Sequence, residues 1–120
     1  MYHYIEPVPP NNKDQLRADL TVTPEKFEAQ LKFLKERGYT SIDLYQFYGA
    51  LARGESLPAK PIVFTFDDGY ATMHEYAFPL MNKYGFSGTI FVITDFTEAK
   101  KPEYLTWDRA LDMARAGWRL

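Results

Sequence analysis

Ile62-Val63-Phe64-Thr65-Phe66-Asp67-Asp68-Gly69-Tyr70 is the stretch on which the fold and the chemistry of this chain turn. The apolar and β-branched run from Ile62 to Phe66 reads as a strand buried on both faces, as strands of parallel sheets are. It ends in two adjacent carboxylates, and Gly69 then releases the backbone into a turn. In a regular strand Asp67 and Asp68 point to opposite faces, but at a strand end the twist into a glycine turn can bring both around one pocket. Two carboxylates held close invite a cation. If one is drawn onto a metal and the other stays free beside metal-bound water, the pair divides into a ligand and a general base. The simpler alternative is a strand followed by an Asp-Gly turn, with Asp68 capping the next helix.

Outward from this run, helical and extended patterns alternate. Tyr2 to Ile5 reads as a short strand, and Glu6 to Leu20, rich in Pro, Asn and charge, as an irregular loop long enough to edge a groove. Thr23 caps a helix with Pro24 at its first position and Phe27, Leu31 and Leu34 as its buried stripe, ending at Gly38. Thr40 to Ile42 is a brief strand. Asp43 to Leu51 is a second helix whose Leu44, Phe47, Tyr48 and Leu51 share a face, closed by Gly54. Tyr70 to Tyr84 reads as a third helix with Met73, Ala77, Leu80 and Met81 inward and a kink at Pro79. Thr89 to Ile93 is a fourth strand, Asp95 to Glu103 a charged surface loop, and Thr106 caps a last helix running to about Ala116, with a strand starting at Trp118. This β-α alternation predicts parallel strands with right-handed crossovers, whose carboxyl ends carry the site.

With 120 residues, 46% of them hydrophobic and 17% aromatic, the chain can build the core of a single domain. A net charge of −2 gives no electrostatic footprint for nucleic acid, and no basic stripe interleaves with the aromatics. With no cysteine, disulfides and thiolate metal sites are excluded. No run approaches the roughly 18 apolar residues of a membrane span, and no signal peptide is visible.

The chain resembles the polysaccharide deacetylases, carbohydrate esterase family 4, which carry the NodB-homology domain. Thr65-Phe66-Asp67-Asp68-Gly69 is similar to the first motif of that family. The likeness extends upstream through Tyr2-His3-Tyr4-Ile5, Val22-Thr23-Pro24-Glu25-Lys26-Phe27, Gly38-Tyr39-Thr40 and Leu57-Pro58-Ala59-Lys60-Pro61. Downstream it continues through Phe78-Pro79-Leu80, Tyr84-Gly85-Phe86, Thr89-Ile90-Phe91-Val92, Leu105-Thr106-Trp107 and Ala116-Gly117-Trp118. The Tyr-His segment near the amino terminus looks most like the branch acting on poly-N-acetylglucosamine.

The resemblance implies an α/β fold, a partial (β/α) barrel holding the first four or so βα units of a distorted seven- or eight-stranded NodB-type barrel. Residues 1–120 would then be the amino-terminal portion of one deacetylase domain, clipped at its start and ending before the family's His-Ser/Thr-x-x-His metal motif. Asp67 is implied as the catalytic base and Asp68 as a ligand of a divalent metal, zinc in the first instance. The two histidine ligands, the Arg-containing oxyanion motif and the late histidine acid are expected beyond Leu120, because His3 and His74 lack the i, i+4 spacing to replace the pair. His3, at the end of the first strand, is a further catalytic candidate. The activity implied is removal of N-acetyl groups from N-acetylglucosamine units of a polysaccharide, with these residues alone inactive and the setting extracytoplasmic. A deacetylase-like module that only binds glycans, or another amide hydrolase of the same barrel, are the alternatives.

Among the remaining residues, His74 reads as structural on an outer helix, and Trp107 and Asp108 need only packing and capping at a helix start. Tyr70 either lines a sugar subsite or packs under a loop. Glu75, Asp95 and Asp112 have no ligating spacing. If the Ile62 strand is interior, its residues are largely buried, His3 and the end of the Thr89 strand approach the aspartates, and an open lumen face invites association.

Overall fold

Two aromatic side chains on alternate positions, Phe64 and Phe66, are buried in the computed structural model, while Val63, Thr65 and Asp67 on the intervening register are only half-buried. That alternation is the strand pleat, with one face on the helix layer and the other toward the site. The structure describes residues 1–8 and 14–120.

The elements are β1 (Tyr4–Ile5), α1 (Gln15–Asp19), β2 (Thr21–Val22), α2 (Pro24–Glu36), β3 (Thr40–Ser41), α3 (Leu44–Arg53), β4 (Pro61–Ile62) and β5 (Thr65–Phe66), followed by a π-helical turn (Met73–Ala77), α4 (Phe78–Tyr84), β6 (Thr89–Ile90), α5 (Thr94–Glu98) and α6 (Trp107–Arg115). The strand pairs β1 with β2, β3 with β4 and β5 with β6 are all parallel. Parallel bridges from Tyr2 to Phe66 and from Thr89 to Arg119 extend them into the succession β2, β1, β5, β6 and Arg119. The fold is therefore α/β with short parallel strands and helical crossovers, as the sequence pattern predicts.

The core lies between the strands and the outer helices. Phe27 and Leu31 of α2, Met73 and Ala77 of the π turn, Met81 of α4 and Met113 of α6 close over Ile5, Phe64, Phe66 and Ile90, all at most 3% exposed. Each large apolar side chain so buried contributes about 1.5–3 kcal/mol by removal from water. Trp118 packs on Phe66 with ring centroids 5.1 Å apart. Gly88 makes this contact possible, since a Cβ there would stand 2.7 Å from the Phe66 ring and 3.0 Å from that of Trp118.

Several expectations need correction. The run from Ile62 to Phe66 is two short strands, because the carbonyls of Lys60 and Ile62 accept from β3 and its flank while those of Phe64 and Phe66 accept from Thr89 and Phe91. The chain changes partner midway. The Glu6 to Leu20 stretch contains α1, with Asp14 accepting from the Arg17 N–H, and residues 9–13 of it lie outside the described residues. Thr21 and Val22, not expected as a strand, pair with β1. Part of the Asp95 to Glu103 loop is α5.

The third helix begins at Met73 and opens as a π turn, with the Phe78 N–H bonding the Met73 carbonyl. Pro79 has no N–H to give and its ring crowds the preceding turn, so a widened turn there relieves the clash. In α3 a capping box forms at Asp43 and Gln46, and Phe47, Tyr48 and Leu51, which share its apolar face, are exposed.

Candidate active site

The acidic tip is held from three directions. On one side the Tyr2 N–H donates to the Thr65 carbonyl at 2.8 Å and the Asp67 N–H donates to the Tyr2 carbonyl at 2.9 Å. This pairing sets His3, the next residue, beside Asp67. His3 Nε2 is 3.8 Å from Asp67 Oδ2, both side chains being about a quarter exposed at 21% and 27%. The separation is too long for a hydrogen bond but within reach of strong electrostatic coupling. On the other side Phe91 N–H donates to the Phe66 carbonyl at 2.8 Å, so the end of β6 borders the same corner.

Asp68 then adopts φ 70°, a left-handed conformation uncommon for any residue but glycine. Gly69 follows at φ 70°, and a Cβ on it would stand 2.6 Å from Val92 Cγ1, so only glycine lets the turn lie against the end of β6. The third support comes from the segment before α6. Leu105 N–H donates to the Gly69 carbonyl at 2.8 Å, Ala71 N–H to the Glu103 carbonyl at 2.9 Å, and Tyr70 and Tyr104 form an antiparallel bridge.

The helix-cap reading of Asp68 fails, since the helical segment starts at Met73 without a side-chain cap. Among the described residues the Asp68 carboxylate accepts no hydrogen bond from the protein. A half-buried carboxylate on a strained backbone and without a partner is an arrangement that stability alone does not favour, and such strain clusters at functional sites.

Tyr70 is packed rather than presented. Its ring lies 4.2 Å from that of Tyr4 and 5.0 Å from that of Tyr104, which in turn meets Phe96 at 4.7 Å. Arg17 caps the row over Tyr4 and Lys101 caps it over Phe96. Burial, then hydrogen bonding with Tyr4 and Tyr104, raises the Tyr70 pKa, so its phenol stays neutral. The row fastens the turn to the segments before α1 and α6. Sequence spacing gave no sign of it, because the rings come from separate connections.

His74 is far from chemistry: its Nε2 is 3.0 Å from Asp112 Oδ2 and its ring stacks on Phe78. Glu75 pairs with Arg109 at 3.1 Å and Asp95 sits exposed in the first turn of α5. Trp107 does not pack as expected, being 45% exposed. No three His, Asp or Glu side chains converge on a possible ion site among the described residues. Asp67 and Asp68 are consecutive at the end of β5, and no third donor joins them among the described residues.

The profile of the polysaccharide deacetylase family matches residues 54–120, which include the whole acidic tip. The chain belongs to the polysaccharide deacetylase family. YxkH of Bacillus subtilis (strain 168) is 33% identical over 98 residues, covering 82% of this chain and 34% of that protein. The poly-beta-1,6-N-acetyl-D-glucosamine N-deacetylase of Staphylococcus aureus (strain N315) is 32% identical over 74 residues, covering 62% of this chain and 25% of the relative. Among solved structures, the Streptococcus pyogenes deacetylase PplD in complex with acetate superposes with a TM-score of 0.89 at 31% identity, over 98% of this chain and 51% of PplD. The chain thus spans about a third of the YxkH length and about half of PplD.

Proposed function

We propose that the chain carries the base corner of a centre that hydrolyses the acetamide of N-acetylglucosamine units in a polysaccharide, outside the cytoplasm. The observation that carries the reading is Asp68, a carboxylate with no partner among the described residues and on a left-handed backbone, next to Asp67 at the end of a parallel strand. The family supports the reaction class. The S. aureus relative is named for the polymer, and acetate, the product such a reaction releases, is bound in the PplD structure.

In this reading Asp67 accepts the proton of the water that attacks the acetyl carbonyl carbon, leaving a free amine and acetate. His3, on the same side as Asp67 Oδ2, steadies the charge that changes there as the proton arrives. Asp68 supplies one ligand to a divalent ion, zinc in the first instance, and the remaining donors come from outside residues 1–120. Such an ion would polarise the carbonyl and acidify the water. Two carboxylates are needed because a base bound to the metal could not take the proton.

The test is acetate release from acetylated poly-β-1,6-glucosamine by a protein that holds residues 1–120 together with the remaining metal donors, and by its Asp67→Asn variant. Release that falls with the substitution supports the reading. Retention of the polymer without release would replace it with a glycan-binding module.

A further inference from the structure

The loop that fastens the acidic turn also forms a cavity that the reaction does not use. Leu105 bonds Gly69, and the residues after it turn into α6. Between α5 and the start of α6 lies a cavity of about 380 Å³ lined by Thr97, Glu98, Lys100, Thr106, Trp107 and Asp108. Its size falls in the range of small-molecule sites.

Three features of its wall set it apart from an accidental dent. Trp107 stands 45% exposed in a position that packing would have filled, and no other ring stacks on it among the described residues. Its Nε1 donates to Glu98 Oε2 at 2.8 Å, which fixes the indole and leaves its faces free. On the same wall Thr97 is 2% exposed and its hydroxyl has no hydrogen-bond partner among the described residues. The same lining carries two carboxylates, one ammonium and a second hydroxyl, on Glu98, Asp108, Lys100 and Thr106.

A fixed aromatic face ringed by both acceptors and donors suits a ligand with an apolar face and a polar rim. A pyranose ring has that form: its axial C–H groups cover an indole while its equatorial hydroxyls point outward to carboxylate and ammonium. A phosphate or other anion would meet two carboxylates against one lysine, and a purely apolar ligand would leave those groups unpaired. We propose that this cavity is a subsite for a sugar unit of the polysaccharide, one flanking the unit whose acetyl group is cut. The sugar's identity rests on the deacetylase reading, but the binding does not require turnover.

The chain has two tryptophans, and Trp118 is buried at 2% exposure, so emission changes on ligand addition report Trp107. Titration of the protein with a β-1,6-linked N-acetylglucosamine pentamer should change tryptophan emission, and the monosaccharide should do so only at far higher concentration. Trp107→Ala should abolish the response and weaken calorimetric binding about tenfold, the scale of one lost stacking contact. Trp107→Phe, which keeps a ring but loses the bond to Glu98, should bind with intermediate affinity. In the acetate assay Trp107→Ala should raise KM for the pentamer while leaving kcat unchanged, as loss of uniform binding does. In a protein that also holds the remaining metal donors, a pentamer response without acetate release would support the subsite and sink only the deacetylase reading. Acetate release with no emission change, or with equal pentamer affinity in Trp107→Ala, would overturn the subsite and leave that reading intact.

Discussion

His3 Nε2 lies 3.8 Å from Asp67 Oδ2, brought there by the backbone pairing of Tyr2 with Thr65 and Asp67 rather than by any contact of its own. A pair placed this way acts as a unit if Asp67 is the base. Asp67→Asn should reduce acetate release by about 10²–10⁴-fold, the range for removal of a general base. His3→Ala should reduce it less, and the double variant should be no slower than Asp67→Asn alone. Additive losses in kcat/KM would show that His3 acts independently of Asp67.

Asp68 separates two effects that a single substitution would merge. Its φ of 70° strains any β-carbon, and glycine escapes that strain. Asp68→Ala and Asp68→Gly both remove the carboxylate and should both abolish zinc retention and turnover, whereas Asp67→Asn should keep the metal. Thermal unfolding should nevertheless rank the glycine variant about 1–2 kcal/mol above the alanine variant. Equal loss of metal in Asp67→Asn and Asp68→Ala by elemental analysis would contradict the assigned roles. Residues 1–120 alone should bind zinc only weakly in calorimetry, because no three donors converge there among the described residues.

What could be read from sequence here is what local chemistry decides. The caps at Thr23 and Thr106 and the strand end before Asp67 and Asp68 appear where spacing and residue type put them. Partner choice is not local, which is why one expected strand became β4 and β5 with different neighbours. The apolar face of α3 shows the same limit from the other side. Leu44, Phe47, Tyr48 and Leu51 have helical periodicity, but periodicity says only that a face exists, and here most of it meets solvent. At the site, the two aspartates and His3 were recognisable as candidates. Tyr4, Tyr70 and Tyr104 were not recognisable as a group, since their stacking brings together β1, the turn after β5 and the segment before α6, which are far apart in sequence.

Gly69 ties the turn to β6 by absence of a side chain. Gly69→Ala introduces both left-handed strain and a Cβ 2.6 Å from Val92 Cγ1. A loss of about 1–3 kcal/mol is expected from the strain, with the clash in addition. Val92→Ala should relieve part of the clash but none of the strain, so the double variant should recover some stability and stay below wild type. Full recovery in denaturant titration would mean that the backbone angle costs nothing.

Asp43 offers a test of how the last strand is held. It caps α3 by accepting the Gln46 N–H at 2.8 Å and receives Arg119 Nε at 2.7 Å from beside the Thr89 bridge. Burial works against its charged form, but the bonds from Gln46 and Arg119 outweigh it, and its pKa lies below the ordinary 3.8. A carboxyl whose folded-state pKa is depressed adds stability above its unfolded pKa and loses it as pH falls through the lower folded value. Asp43→Asn keeps a capping oxygen and removes the charge, whereas Asp43→Ala removes both and should cost about 1 kcal/mol more. The wild type should therefore exceed Asp43→Asn in stability at neutral pH. That advantage should shrink only below about pH 4, where the unfolded chain begins to take up the proton. Urea midpoints of the two proteins measured from neutral pH down to acid would check this, and a gap that closes near pH 6 would assign it to another group.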